Sequence, residues 1–148
     1  MAVRDGSTDF AAMSENSVNR DHELLPRPDV VTVEHMLQVL LHYYEHKWNA
    51  NEDVLKTLRN WREWPIVVRM PDLGVDYTVV VEEGRVEGVT VGTPAKARLL
   101  VVMVSDTMHR IYYEETTAAI ESIAGRVKIK GNETERRRML AAISHLTW

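Results

Sequence analysis

Gly125-Arg126-Val127-Lys128-Ile129-Lys130-Gly131 alternates basic and apolar residues between two glycines. A period of two puts Val127 and Ile129 on one face of a strand and Arg126, Lys128 and Lys130 on the other. One face is then buried and one wet. Gly125 suits the end of a preceding helix in the left-handed conformation, and Gly131 suits the turn into the next helix. Lysines on the wet face discourage edge-to-edge pairing if the strand lies at a sheet edge. Helical patterns flank the stretch on both sides, so it ties two helices to a sheet.

Downstream, Asn132 and Glu135 have the spacing of a capping box. They open a last helix whose apolar stripe is Met139, Leu140, Ile143 and Leu146. Upstream, Thr116 or Thr117 caps a short helix carrying Ala119, Ile120 and Ile123. Ser105-Asp106 starts another, with a good cap, an acidic first turn and Met108, Ile111 and Tyr112 on one face. Before it, Ala97 to Val104 is almost continuously apolar. Such strands are covered on both faces, which places this one inside the sheet. Ile66 to Met70 and Asp76 to Glu83 also read as strands, the second with Tyr77, Val79 and Val81 on one face. Glu83-Gly84 is a hairpin signal, and Arg85 to Val91 returns.

Ahead of the strands, Val33, Met36, Leu37, Leu40, Leu41 and Tyr44 recur at helical spacing, with Asp29 or Thr32 as cap. Asn49-Ala50-Asn51 breaks the run. Asn51 caps a second helix with Val54, Leu55, Leu58 and Trp61, ended by Trp64-Pro65. Residues 1–28 are polar and aperiodic and read as a disordered tail, leaving 29–148 as the domain.

A chain of 148 residues has room for one core. The absence of cysteine rules out a disulfide framework and thiol chemistry, and fits a cytoplasmic setting. A net charge of −4 argues against general nucleic-acid binding. No apolar run is long enough for a membrane-spanning helix, and the N-terminus shows no secretory pattern.

The order of elements, together with Gly125 to Asn132, the Glu83-Gly84 hairpin followed by Val89 to Gly92, and the apolar strand running into Val104-Ser105-Asp106, resembles the sterol-carrier-protein family, the non-specific lipid-transfer fold. The resemblance covers Ile66 to Leu146 and weakens over Val30 to Trp64. It implies an α+β fold: a five-stranded mixed sheet with helices packed mainly on one face, and an apolar tunnel for a fatty acyl lipid, sterol or similar molecule. It brings no catalytic residue, no metal and no cofactor. The chain departs from the family's pattern at Ile111-Tyr112-Tyr113 and in Trp48, Trp61 and Trp64, where bulky aromatics bear on the size of the ligand.

On that reading the tunnel is lined by Leu40, Tyr44, Trp61, Met103, Met108, Tyr112, Met139 and Ile143. Flexible methionines suit such walls, and a buried tyrosine needs a partner that a ligand head group can supply. Arg126, Lys128, Lys130, Arg136 and Arg137 offer a transient contact with an anionic membrane, or are simply a solvated face.

Two chemistries compete. His42-Tyr43-Tyr44-Glu45-His46 matches H-x-x-E-H, in which two histidines one helical turn apart grip zinc and a glutamate activates water; His35 shares that face. A small pathway enzyme acting on a hydrophobic metabolite would instead aim His35, His42, His109 or Glu114 into the same pocket. No Ser-His-Asp elbow, phosphate loop or carboxylate pair supports a particular reaction.

Overall fold

The computed structural model describes residues 23–61 and 65–147. Residues 1–22 of the expected tail, and Trp64 at the expected end of the second helix, lie outside the described residues. Helix α1 (Val33–Tyr43) runs on as a π-helical turn (Tyr44–Trp48), followed by α2 (Glu52–Thr57). Strands β1 (Ile66–Met70), β2 (Val75–Glu82), β3 (Arg85–Val91) and β4 (Leu99–Val102) come next. Then follow α3 (Ser105–Tyr112), α4 (Ala118–Ile123), β5 (Lys128–Gly131) and α5 (Glu133–Ile143).

The sheet order is β3-β2-β1-β4-β5. β1 pairs antiparallel with β2 and parallel with β4, so the sheet is mixed. β4 lies inside the sheet and β5 at its edge. Register sorts the faces: Ile66 stands beside Val79 and Leu99, Val68 beside Tyr77 and Val101, and Val101 beside Ile129. All of these except the half-buried Ile129 are buried. On them pack Met36, Val39 and Leu40 of α1, Met108 and Ile111 of α3, and Met139, Ala142 and Ile143 of α5. The opposite face carries the Arg69–Asp76 pair (2.7 Å) together with Lys128 and Lys130.

Local chemistry explains most boundaries. The side chains of Thr32, Asn51, Thr117 and Asn132 each accept the N–H three residues on, capping α1, α2, α4 and α5. Glu83 and Gly84 have φ of 52° and 87°, the two positive values that a tight hairpin turn demands.

Several expectations are corrected. α3 is not capped by its own sequence: Val104 makes no side-chain cap, and the Asp72 carboxylate accepts from the Ser105 N–H (3.0 Å) and Oγ–H (2.6 Å). Glu135 does not reach back to close a capping box; its Oε2 takes Arg98 (3.2 Å). Val39 and Tyr43 are buried where Leu37, Leu41 and Tyr44 are half-buried, so the buried stripe of α1 is displaced by one residue. The α2 helix ends at Thr57, short of Trp61. β4 is shorter than the apolar run, and Leu100 and Val102 are half-buried because the helices cover the other face. β5 starts late because the N–H groups of Arg126 and Val127 both bond the Glu121 carbonyl (2.9 and 3.1 Å).

Residues 23–28 have no regular structure but are docked. The Leu25 N–H donates to the Tyr112 hydroxyl and the Leu25 carbonyl accepts from Tyr113, each at 2.8 Å. Arg27 pairs with Glu115 at 3.0 Å.

Candidate functional site

Between the sheet and the helices lies an apolar cavity of about 50 Å³. Its floor is Ile66, Val101, Met103, Val127 and Ile129. Met108 and Ile111 of α3, Ala118 at the start of α4, and Met139, Ile143 and Leu146 from and after α5 form its sides. Tyr43, Tyr44 and Trp48 complete the wall.

That last wall depends on the π-helical turn. The Asn49 N–H bonds the Tyr44 carbonyl at 2.8 Å, five residues back. The Asn49 amide then pairs both ways with the Val86 backbone at 2.9 Å, as a strand neighbour would. The Trp48 indole N–H donates to the Gly84 carbonyl at 2.8 Å. The hairpin between β2 and β3 therefore holds the turn. Tyr44 also lines an outer groove of about 320 Å³ with Leu41, Glu45, Asn49 and Arg85 to Gly88.

Of the residues expected at the tunnel, Tyr44, Met103, Met108, Met139 and Ile143 meet at this cavity. Leu40, Trp61 and Tyr112 are buried but not among its lining. The Tyr112 hydroxyl sits between the Leu25 N–H and His42 Nδ1 (3.0 Å), and the Arg138 guanidinium lies 5.4 Å from the Trp61 ring centre. The sequence reading missed Tyr43 and Trp48. Tyr43 follows Met36, Val39 and Leu40 at ordinary helical spacing in α1, a signal that could have found it. Trp48 lies in the π-helical turn, which a 3.6-residue period does not register, and the local hint to it is the Asn49-Ala50-Asn51 break.

A polar cluster closes the α4 side. Glu121 takes Arg110 (2.9 Å), Arg126 (2.5 Å) and the Thr116 hydroxyl (2.8 Å). These hydrogen bonds, Arg126 foremost, hold its carboxyl at about 2 against the opposing effect of burial.

His35, His42, His109 and Glu114 are not among the lining residues. His35 and His109 face each other across α1 and α3, with Nε2 atoms 2.9 Å apart. Burial lowers both pKa values; for His109 the charges of His35 and Arg27 lower it further, against Asp106 and Glu115. Glu114 is at the surface, 3.3 Å from Lys47. The rings of His42 and His46 are 4.4 Å apart, but His35, which with a carboxylate from elsewhere is one of two sources for a third ligand, meets His109 instead. Among the described residues no three His, Asp or Glu side chains converge as a metal site requires.

The basic residues are dispersed. Arg126 is held by Glu121 and Arg137 by Glu133. Among the described residues no helix is long and apolar enough to cross a membrane.

No protein-family model matches the sequence, and no match was found among curated proteins. Solved structures share the fold. A conserved hypothetical protein from Thermus thermophilus, suggested to be a sterol carrier protein, is 18% identical; the match covers 82% of this chain and 87% of that one, with TM-score 0.54. A double mutant of PisA1, a Pseudomonas sec-alkyl sulfatase, is 16% identical over 80% of this chain and 17% of its own, with TM-score 0.52. This chain thus spans less than a fifth of the sulfatase's length. Sterol carrier protein 2 from Yarrowia lipolytica is 11% identical over 82% of this chain and 96% of that one, with TM-score 0.46. Likeness at these identities is one of fold: a five-stranded mixed sheet with helices on one face, the sterol-carrier architecture.

Proposed function

We propose that this sterol-carrier fold binds a hydrophobic small molecule, an acyl lipid, a sterol or a similar compound, and carries it unchanged. The supporting observation is the apolar cavity with Met103, Met108 and Met139 on three of its sides. Thioether side chains yield to irregular guests, and each Å² of apolar ligand taken from water contributes about 25 cal/mol. A few hundred Å² of burial, less ordering costs, corresponds to micromolar affinity, about −8 kcal/mol. Membrane contact during exchange would fall to Lys128, Lys130 and Arg136, since Arg126 and Arg137 are engaged by carboxylates.

A fluorescent sterol tests the reading. Native protein is expected to bind it at micromolar concentration. Met108→Trp or Ile143→Trp fills the cavity and is expected to weaken binding at least tenfold while the circular dichroism spectrum is kept. Met139→Asp buries an unpaired charge and is expected to reduce both binding and stability. No binding by the native protein, with both tryptophan variants destabilised by overpacking, would mean a solid core and end the carrier reading.

A further inference from the structure

We propose that the cavity takes an apolar molecule bearing a neutral oxygen acceptor, an alcohol or a ketone or ester carbonyl, and that the hydroxyls of Tyr43 and Tyr44 donate to that oxygen. The inference rests on the ligand-binding reading above and narrows it.

The chain has five tyrosines. Three have hydroxyls engaged by the protein: Tyr77 donates to the Val33 carbonyl, Tyr113 to the Leu25 carbonyl, and Tyr112 meets Leu25 and His42. The other two are Tyr43 and Tyr44, and among the described residues neither hydroxyl has a hydrogen-bond partner. Both line the cavity, and Tyr43 is only 8% exposed. The remaining N–H or O–H side chain there, Trp48, is satisfied by Gly84. Neither oxygen is sealed off, since Glu135 Oε1 is the buried side-chain atom left without a partner among the described residues. Both hydroxyls are therefore donors not committed to the protein, in an otherwise apolar wall, and a guest's oxygen can take them.

The charge state of that oxygen follows from what the wall lacks. No lining side chain is charged. Lys47, which flanks Tyr43 in a neighbouring crevice, is held by Glu114 and by the Thr147 carbonyl. A carboxylate entering the cavity would leave its charge unpaired. Burial pushes both phenols far above the ordinary tyrosine range, with Tyr44 adding to the effect on Tyr43, so both stay neutral donors.

Pyrene-labelled probes with identical chains, ending in hydroxyl, methyl ester, methyl or carboxylate, are titrated at pH 8 into native protein, Tyr43→Phe, Tyr44→Phe and the double variant. In native protein the hydroxyl and ester probes are expected to bind about tenfold more tightly than the methyl probe. In the double variant that ratio falls to near one. The variants are expected to melt at the native temperature or above, because no hydrogen bond within the protein is lost. A ratio that survives in the double variant overturns the proposal, as does a carboxylate probe that binds as well as the hydroxyl probe. A phenylalanine variant that unfolds or melts well below native also overturns it, since the hydroxyls would then serve the fold. If none of the four probes binds native protein, the carrier reading itself falls and takes this inference with it.

Discussion

At the scale of one residue, Glu121 shows how a buried charge can hold a short helix. Its side chain is 1% exposed, and two guanidiniums and a hydroxyl surround it. Its carboxyl is held at about 2, below the ordinary 4.5 it regains on unfolding. The resulting stability is fully present above pH 4.5 and is lost as pH falls through about 2. The shift corresponds to at most about 3 kcal/mol; half-exposed Arg126 is screened by solvent, which brings the figure nearer to about 2 kcal/mol. Glu121→Gln is therefore expected to cost about 2 kcal/mol at pH 7 and much less near pH 2. Urea unfolding of both proteins at the two pH values measures this; an equal deficit at both would show that the ion cluster is not the source.

At the scale of elements, β5 is a four-residue edge strand, and its place depends on Gly131. A Cβ there would lie 2.6 Å from the Arg98 carbonyl oxygen, a backbone atom that cannot swing aside. Gly131→Ala is expected to cost about 2 kcal/mol by forcing the strands apart and to strip amide-exchange protection from Lys128 to Lys130. Unchanged protection would show that β4 and β5 can accommodate the methyl group. The strand itself was legible in the sequence because its signal is local: alternation needs only its own residues. The same holds for Thr32, Asn51, Thr117 and Asn132, which cap by bonding an N–H three residues away. What could not be read came from far along the chain. The α3 cap is Asp72, 33 residues before Ser105. The π-helical turn that places Tyr44 and Trp48 in the cavity wall is held by Gly84 and Val86. Tyr112 had the right size and helical face for the wall, but its hydroxyl partners, Leu25 and His42, lie 87 and 70 residues away.

At the scale of the whole molecule, the cavity is smaller than its proposed task requires. About 50 Å³ compares with roughly 300–1,000 Å³ for a site that encloses a drug-sized ligand. A lipid must therefore displace part of the structure, and the least packed cover gives first. That cover is α4. It has six residues and contributes only Ala118 to the lining. Its outer face shows Ile120 and Ile123 to solvent, Ile123 being 88% exposed. The Glu121 cluster holds it to Arg110 of α3 and to Arg126 ahead of β5. If opening of α4 precedes entry, the rate of binding has a ceiling set by that opening, whatever the ligand concentration. Stopped-flow mixing with a pyrene-labelled long-chain alcohol is expected to give an observed rate that rises and then levels off. Glu121→Gln loosens the attachment of α4 and is expected to raise the plateau several-fold. A rate that climbs linearly over the whole accessible range, in both proteins alike, would place the entrance elsewhere, with the Tyr44 wall beside the outer groove as the next element to test.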